Sequence, residues 1–393
     1  MRLSTERILT THVGSLPRPD DLRQMLDAKE RSNAGSYDSG SYEARCAAAV
    51  ADVVAKQRDS GTDIISDGEM SKISYVGYVK ERLRGIGVAA PSSSSSAVST
   101  VLPTAVTFPD IASHPDFAEY RAKQSIAASA APICAGPLSY GDETALTADI
   151  ARLKAAVAGA DAADVFMNAA SPGVLAMFIP NMHYATEDAY VEALAEAMKH
   201  EYDAIHRAGL ILQIDCPELA MSWHTRHWQK TEKEFLALTE RNLELLNHAT
   251  RSIPPEAMRI HICWGNYAGP HTHDYPVAKL IPTLAKTRAQ AILFEGANPR
   301  HEHEWEDWSS AKIPDDKVLI PGVIDSTTNF VEHPRLVAQR IKHYTDIVGQ
   351  DRVIAGTDCG FGTFALRQHQ VFPSVVWSKL KALAEGAHMA SHK

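Results

Sequence analysis

No apolar stretch in the chain approaches the roughly 18 residues that span a membrane, and the opening MRLSTERILTTHVGSLPRP has no apolar signal core. A cytoplasmic protein with no membrane partner is therefore expected. Lys/Arg blocks are missing as well, and 39 basic against 48 acidic residues leave a formal charge of −9. That balance suits neither nucleic acid nor an anionic surface. Cysteine is scarce and odd in number, with five at positions 46, 134, 216, 263 and 359. This excludes a disulfide framework and leaves buried, catalytic or metal-bound thiols. No glycine-rich dinucleotide fingerprint follows an early strand, which counts against an open doubly wound sheet.

What the sequence does have is alternation. Nine short β-branched or apolar runs, at 8–14, 62–69, 131–137, 163–173, 210–217, 259–265, 291–296, 318–325 and 352–360, are separated in several places by helical patterns. The segments 187–209 and 332–349 are examples, each ending on a glycine suited to a helix C-cap. Repeated strand–helix units mean parallel strands with helical crossovers, and eight of them close a barrel. The expected fold is α/β, a single (β/α)8 TIM barrel over residues 1–393, with one of the nine strand candidates in excess. Residues 85–115, with five consecutive serines and a proline cluster, read as an inserted excursion, a hairpin, lid or plain surface loop.

Polar residues gather at the C-terminal tips of the strand candidates: Asp67, Glu69, Asn168, Asp215, His261, Cys263, Glu295, Asp325, Asp358 and Cys359. In a barrel of this type that face carries the active site. His261 and Cys263 lie two apart, so on a strand they project to the same side. With Glu295 and Cys359 they offer the nitrogen, thiolate and carboxylate donors that zinc prefers. Donors from separate strands differ from the tight Cys knuckles of a structural zinc site. Two thiolates and a carboxylate would leave a dication at −1, a poor activator of water but a good holder of a substrate thiolate. The plain alternative is a core strand with two tolerated residues.

At these residues the chain resembles the catalytic barrel of cobalamin-independent methionine synthase and its relatives, including epoxyalkane:coenzyme M transferase. The resemblance rests on TTHVGSLPRP (10–19), SDGEMSK (66–72), QIDCPELA (213–220), HICWGN (261–266), the glutamate of LFEG and GTDCGFGT (356–363). It implies His261, Cys263, Glu295 and Cys359 as zinc ligands. It also implies that Val13, Ser15, Glu69 and Asp215 bind a thiol substrate, the carboxylates meeting an ammonium group; Trp264 and Asn266 join them. Thr327 stands where the long synthases have a histidine, and there is no room for their second barrel. Both departures point to the short, epoxide-opening branch.

The expected function is zinc-dependent transfer of an alkyl group to a small thiol, of the epoxyalkane:coenzyme M transferase type. The alternatives are methyl transfer to homocysteine from a methyl-folate or other donor, and, in a different class, a non-catalytic zinc-binding barrel. Zn2+ is the cofactor expected. The partners expected are a small thiol and an electrophilic alkyl donor, with a homo-oligomer left open. An opening epoxide needs a proton donor, for which Tyr267, His271 and His273 are the candidates. Sulfonate recognition would need a cation, with Arg18, Lys72 and Arg226 available. HEHEW (301–305) reads as a solvated acidic face.

Overall fold

Eight short parallel strands form the centre of the computed structural model, which describes residues 1–31, 37–88, 109–123 and 132–391. In chain order the strands are β1 (Leu9–Thr10), β2 (Ile64–Ile65), β3 (Leu83–Val88), β4 (Pro132–Tyr140), β5 (Asp164–Ala170), β6 (Ile211–Asp215), β7 (Met258–His261), β8 (Ala291–Phe294), β9 (Val318–Ile324) and β10 (Ile354–Thr357). All but β3 and β4 pair in the order β1-β10-β9-β8-β7-β6-β5-β2. A parallel bridge from Thr11 to Ile64 brings β2 back to β1. The sheet closes on itself as a (β/α)8 barrel.

The ninth strand candidate is β4, which lies outside the barrel. It pairs antiparallel with β3 in a separate two-stranded ribbon. The burial pattern explains why. Barrel strands β6 to β10 are buried at every position, as a sheet covered on both faces must be. In β4 only Cys134 is fully buried, and the rest is half-buried or exposed. The ribbon and two short helices, Pro109–Ala112 and Pro115–Lys123, are the described part of the excursion. It begins before residue 85 and returns through Tyr140, so it is longer than expected; residues 89–108, with the serine run, lie outside the described residues.

The outer helices follow their local signals. Helix Glu187–Arg207 starts at Thr186, whose side chain accepts from the Ala189 N–H. It has Glu187 and Asp188 in its first turn and His206 and Arg207 in its last, complementing the helix dipole. Tyr190, Leu194, Met198 and Ile205 form its buried stripe. Between helices and barrel lies the main apolar core. A second, smaller cluster of Leu9, Ile64, Phe166, Ile211, Leu293, Ile320 and Ile354 fills the lower barrel. Above this apolar plug the barrel interior turns polar, with Arg259, Gln213 and Thr11 buried and hydrogen-bonded to one another. Among the described residues no helix is long and apolar enough to cross a membrane.

Candidate metal and substrate site

Strand β7 sets one half of the site. Arg259 and His261 alternate with buried Ile260, and Cys263 follows two residues on. The Arg259 guanidinium lies over the Phe166 ring at 3.6 Å and donates to Gln213 Oε1 (2.8 Å), Thr11 Oγ1 (3.0 Å) and the His12 backbone carbonyl (3.1 Å). It is a fully buried cation one layer beneath His261. The other half arrives after β10, where Cys359 places its sulfur 3.9 Å from that of Cys263. Donor atoms of His261, Cys263 and Cys359 all lie within 4.8 Å of one another, and all three residues are buried.

These three fit a zinc ion. Two sulfurs about 2.3 Å from one zinc at a tetrahedral angle would be about 3.8 Å apart, close to the separation seen. The His261 Nδ1 faces Asp215 Oδ1 at 3.3 Å, while its buried Nε2 has no nitrogen or oxygen partner among the described residues. A carboxylate on one ring nitrogen with the other left over is the usual arrangement of a metal-binding histidine. Burial works against protonation of this ring, but Asp215 and Cys359 overcome it and raise its pKa to about 10. The Cys359 thiol is lowered by Cys263 and His261, and the Cys263 thiol is raised by Cys359 and by burial. The three groups therefore share protons that a cation would displace.

Glu295, the fourth expected ligand, is not in this converging set, although its charge helps raise the Cys263 thiol. Its Oε1 accepts from the Trp264 N–H (2.9 Å), and its Oε2 accepts from Asn298 (2.8 Å) and Arg300 (2.6 Å). A second cluster meets metal-ligand spacing too, His224 with His271 and Asp274. Here, however, the cation is built in. Arg300 Nη1 lies 2.8 Å from His271 Nδ1 and 3.2 Å from Asp274 Oδ2, which also receives His301 Nε2 at 3.2 Å. Asp274 is the hub of an imidazole and guanidinium network, its pKa held far down by those partners against burial.

That network corrects the solvated reading of HEHEW: His301 and Glu304 are buried, with His301 Nδ1 2.8 Å from Glu304 Oε2. Only His303 fits the exposed description.

A cavity of about 860 Å3, counted to its open mouth, lies over the thiols. Val13, Ser15, Glu69, Asp215, Asn266 and Tyr267 line it together with His261, Cys263 and Cys359. Backbone geometry brings them close. A Cβ on Gly360 would sit 2.1 Å from Ser15 Oγ, and one on Gly14 would strike the Asn168 side chain at 2.5 Å. Asn168 and Gln213 in turn donate to Asp215 (3.0 and 2.9 Å) and to the Val13 carbonyl. Glu69 has a left-handed backbone (φ 56), and its buried Oε2 has no partner among the described residues. Burial pushes its pKa up to about 7, with Lys72 opposing and Asp215 adding to the rise.

Other expected residues lie elsewhere. Trp264 turns its ring into the core against His301 (4.4 Å) rather than into the cavity. His273 is half-exposed and points to Asp110 of the excursion (2.8 Å), so it does not line the cavity. His271 is buried behind Tyr267, its Nε2 3.2 Å from the Tyr267 carbonyl. Of the sulfonate candidates, Arg18 donates to the Glu69 and Gly362 carbonyls and Lys72 to the Asn168 carbonyl (2.6 Å). Arg226 does not line the cavity. The Thr327 hydroxyl donates to Asp325 at 2.8 Å. Sequence reasoning missed Tyr75, Phe178, Met221, Phe364 and Arg367, which complete the lining. Tyr75, Phe364 and Arg367 follow closely on two recognised motifs, and that proximity was the available signal.

The model of the cobalamin-independent synthase catalytic domain matches residues 8–171, a stretch that includes Val13, Ser15 and Glu69 but precedes the thiols. A methionine synthase of Saccharolobus solfataricus is 23% identical over 380 residues, covering 96% of this chain and 93% of that protein. The 2-hydroxypropyl-CoM lyase of Xanthobacter autotrophicus is 22% identical over 233 residues, 52% of this chain and 56% of that one. Among solved structures, a B12-independent methionine synthase from a Shewanella species, in complex with selenomethionine, superimposes with a TM-score of 0.67 at 18% identity, covering 98% and 97% of the two chains. A putative vitamin-B12-independent methionine synthase from Listeria monocytogenes gives 0.63 at 20%, covering 97% and 98%. Residues 8–171 thus match the cobalamin-independent synthase catalytic domain, and nearly the whole chain is similar in sequence to methionine synthases and shares the fold of the B12-independent ones.

Proposed function

We propose that the chain is a zinc-dependent thiol alkyltransferase whose acceptor is a small thiol bearing an ammonium group. One observation carries this reading. His261, Cys263 and Cys359 converge within 4.8 Å in a cavity that also presents the buried carboxylates of Glu69 and Asp215. Zinc, when bound, supplies a soft Lewis acid that keeps a thiol as thiolate at neutral pH. The rest is the chain's own work. Asp215 orients His261, the Gly265 N–H donates to the Cys263 sulfur (3.2 Å), and Glu295 waits beside them as the fourth ligand. Glu69 and Asp215 receive the ammonium. Tyr75, Phe178, Met221 and Phe364 form an apolar wall that keeps water from the sulfur. Residues 1–393 act as one barrel unit in this reading, with the β3–β4 ribbon as its excursion.

An amino thiol such as homocysteine fits this cavity better than the sulfonate thiol that the branch resemblance favours. A sulfonate would bring a third anion to Glu69 and Asp215, and Arg18 and Lys72 are engaged with backbone carbonyls. The methionine synthase name of the relative at 23% identity points the same way. The second reading, a coenzyme M-type thiol, is favoured by one observation: Arg367 lines the same cavity.

Metal analysis and X-ray absorption test both. The expected result is about one zinc per chain, lost in Cys263→Ser, with a new sulfur neighbour of zinc on adding homocysteine but not coenzyme M. The reverse preference establishes the second reading. Zinc that responds to neither thiol leaves a zinc-storing barrel, and absence of zinc together with a silent Cys263→Ser overturns the metal site.

A further inference from the structure

Part of the cavity wall is made where two distant loops meet. Ser74 and Phe364 form an isolated antiparallel bridge, and the Ala365 N–H donates to the Ile73 carbonyl at 2.9 Å. This bridge ties the loop after β2 to the loop after β10. It places Tyr75 in the wall of the cavity that holds the thiols, wedged edge-on between Phe178 (5.7 Å, 90°) and Phe364 (5.9 Å, 60°). The ring is thus fixed by two aromatic neighbours. Its hydroxyl, unlike that of Tyr78, Tyr190 or Tyr202, forms no hydrogen bond to another described residue. A fixed phenol with an uncommitted O–H in a reaction cavity is a donor aimed at something the protein itself does not supply. A phenol is ordinarily neutral at pH 7, so the proton is there to give. Arg367 lines the cavity beside it, with its guanidinium 4.5 Å from the Phe364 ring centre.

Resting on the transferase reading above, we propose that Tyr75 is the proton donor to the leaving atom, and that the electrophile is one whose departing oxygen or nitrogen needs a proton. The step balances. The thiolate sulfur forms a C–S bond while the carbon–heteroatom bond breaks, and that bond's electron pair stays on the departing atom. The Tyr75 proton passes to this atom, which as an alkoxide or amide anion is a stronger base than phenolate. The phenolate is held next to the Arg367 cation and regains a proton from water when the product leaves.

The test uses the zinc-loaded protein, homocysteine and three electrophiles: iodomethane, whose iodide leaves without a proton, 1,2-epoxypropane and 5-methyltetrahydrofolate. Rates are taken above the uncatalysed reaction. In Tyr75→Phe the iodomethane rate is expected within about threefold of the unaltered protein, and the epoxide or folate rate reduced about 100-fold or more. Tyr75→Met should give the same split. In the cobalt-substituted protein the spectral change on binding homocysteine should be the same with and without the hydroxyl. Unchanged rates with the epoxide and folate overturn the proposal, and so does an equal loss with all three electrophiles. Use of iodomethane alone by the unaltered protein overturns the class of electrophile. No transfer from any of the three by the unaltered protein overturns the transferase reading itself.

Discussion

Asp215 Oδ1 lies 3.3 Å from His261 Nδ1, while Nε2 of the same ring has no nitrogen or oxygen partner among the described residues. A proton held on Nδ1 by Asp215 would leave Nε2 as the metal-binding nitrogen, and Asp215 itself is anchored by Asn168 and Gln213. Replacing Asp215 with Asn should leave the barrel folded and weaken metal binding about 10- to 100-fold. Competition against a chelator of known affinity measures it. Unchanged zinc affinity would show that Asp215 serves only the substrate.

Glu69 gives the thiol site a pH dependence of definite sign. Burial places its pKa near 7, so it becomes an anion only as pH rises through that region. Capture of an ammonium-bearing thiol should strengthen from pH 6 to pH 8 and level off above. Below about pH 7 affinity should fall by up to tenfold per pH unit. Calorimetric titration of homocysteine at several pH values checks this, and Glu69→Gln should bind more weakly and lose the acid limb. For stability the sign is opposite. A carboxyl whose pKa is raised in the folded state costs stability once it ionises, so Glu69 destabilises progressively between about pH 4.5 and 7.

Arg300 joins Glu295, Asp274 and His271, with only 16% of its side chain exposed. Its removal leaves two buried carboxylates without their cation. Arg300→Met should lower unfolding stability in urea by about 3 kcal/mol. The same variant should alter zinc affinity, because Glu295 Oε2 loses its charged donor and keeps only Asn298. A variant as stable as the parent would mean that the histidines of the hub take over the charge.

The barrel was readable because parallel strands with helical crossovers leave a rhythm in the chain, and the His261–Cys263 pair because the two residues keep the two-residue spacing of one strand face. Arg259 continues the same spacing downward, an overlooked sign that this strand's inner face is polar throughout. The β4 segment has the composition of a barrel strand, and only its partner and its half-exposed surface distinguish it. His301 and Glu304 look solvated in sequence because acidic and basic residues usually are; they are buried because His301 pairs with Glu304 and with Asp274, 27 positions earlier in another loop. Tyr75 and Arg367 were missed for a similar reason. The bridge between Ser74 and Phe364 spans 290 positions, and no local pattern announces such a pairing.

The closure of β1 on both β10 and β2 has a consequence for how the site comes to exist. His261 and Cys263 lie on a mid-chain strand, while Cys359 follows the last strand, whose outer neighbour is the first. The donor set is therefore split between early and late stages of synthesis, and no fragment ending before β10 holds all three groups. High-affinity metal capture can occur only when the ring of strands is complete. The ion would then act as an inspector of the finished barrel, binding the closed ring and passing over the open one.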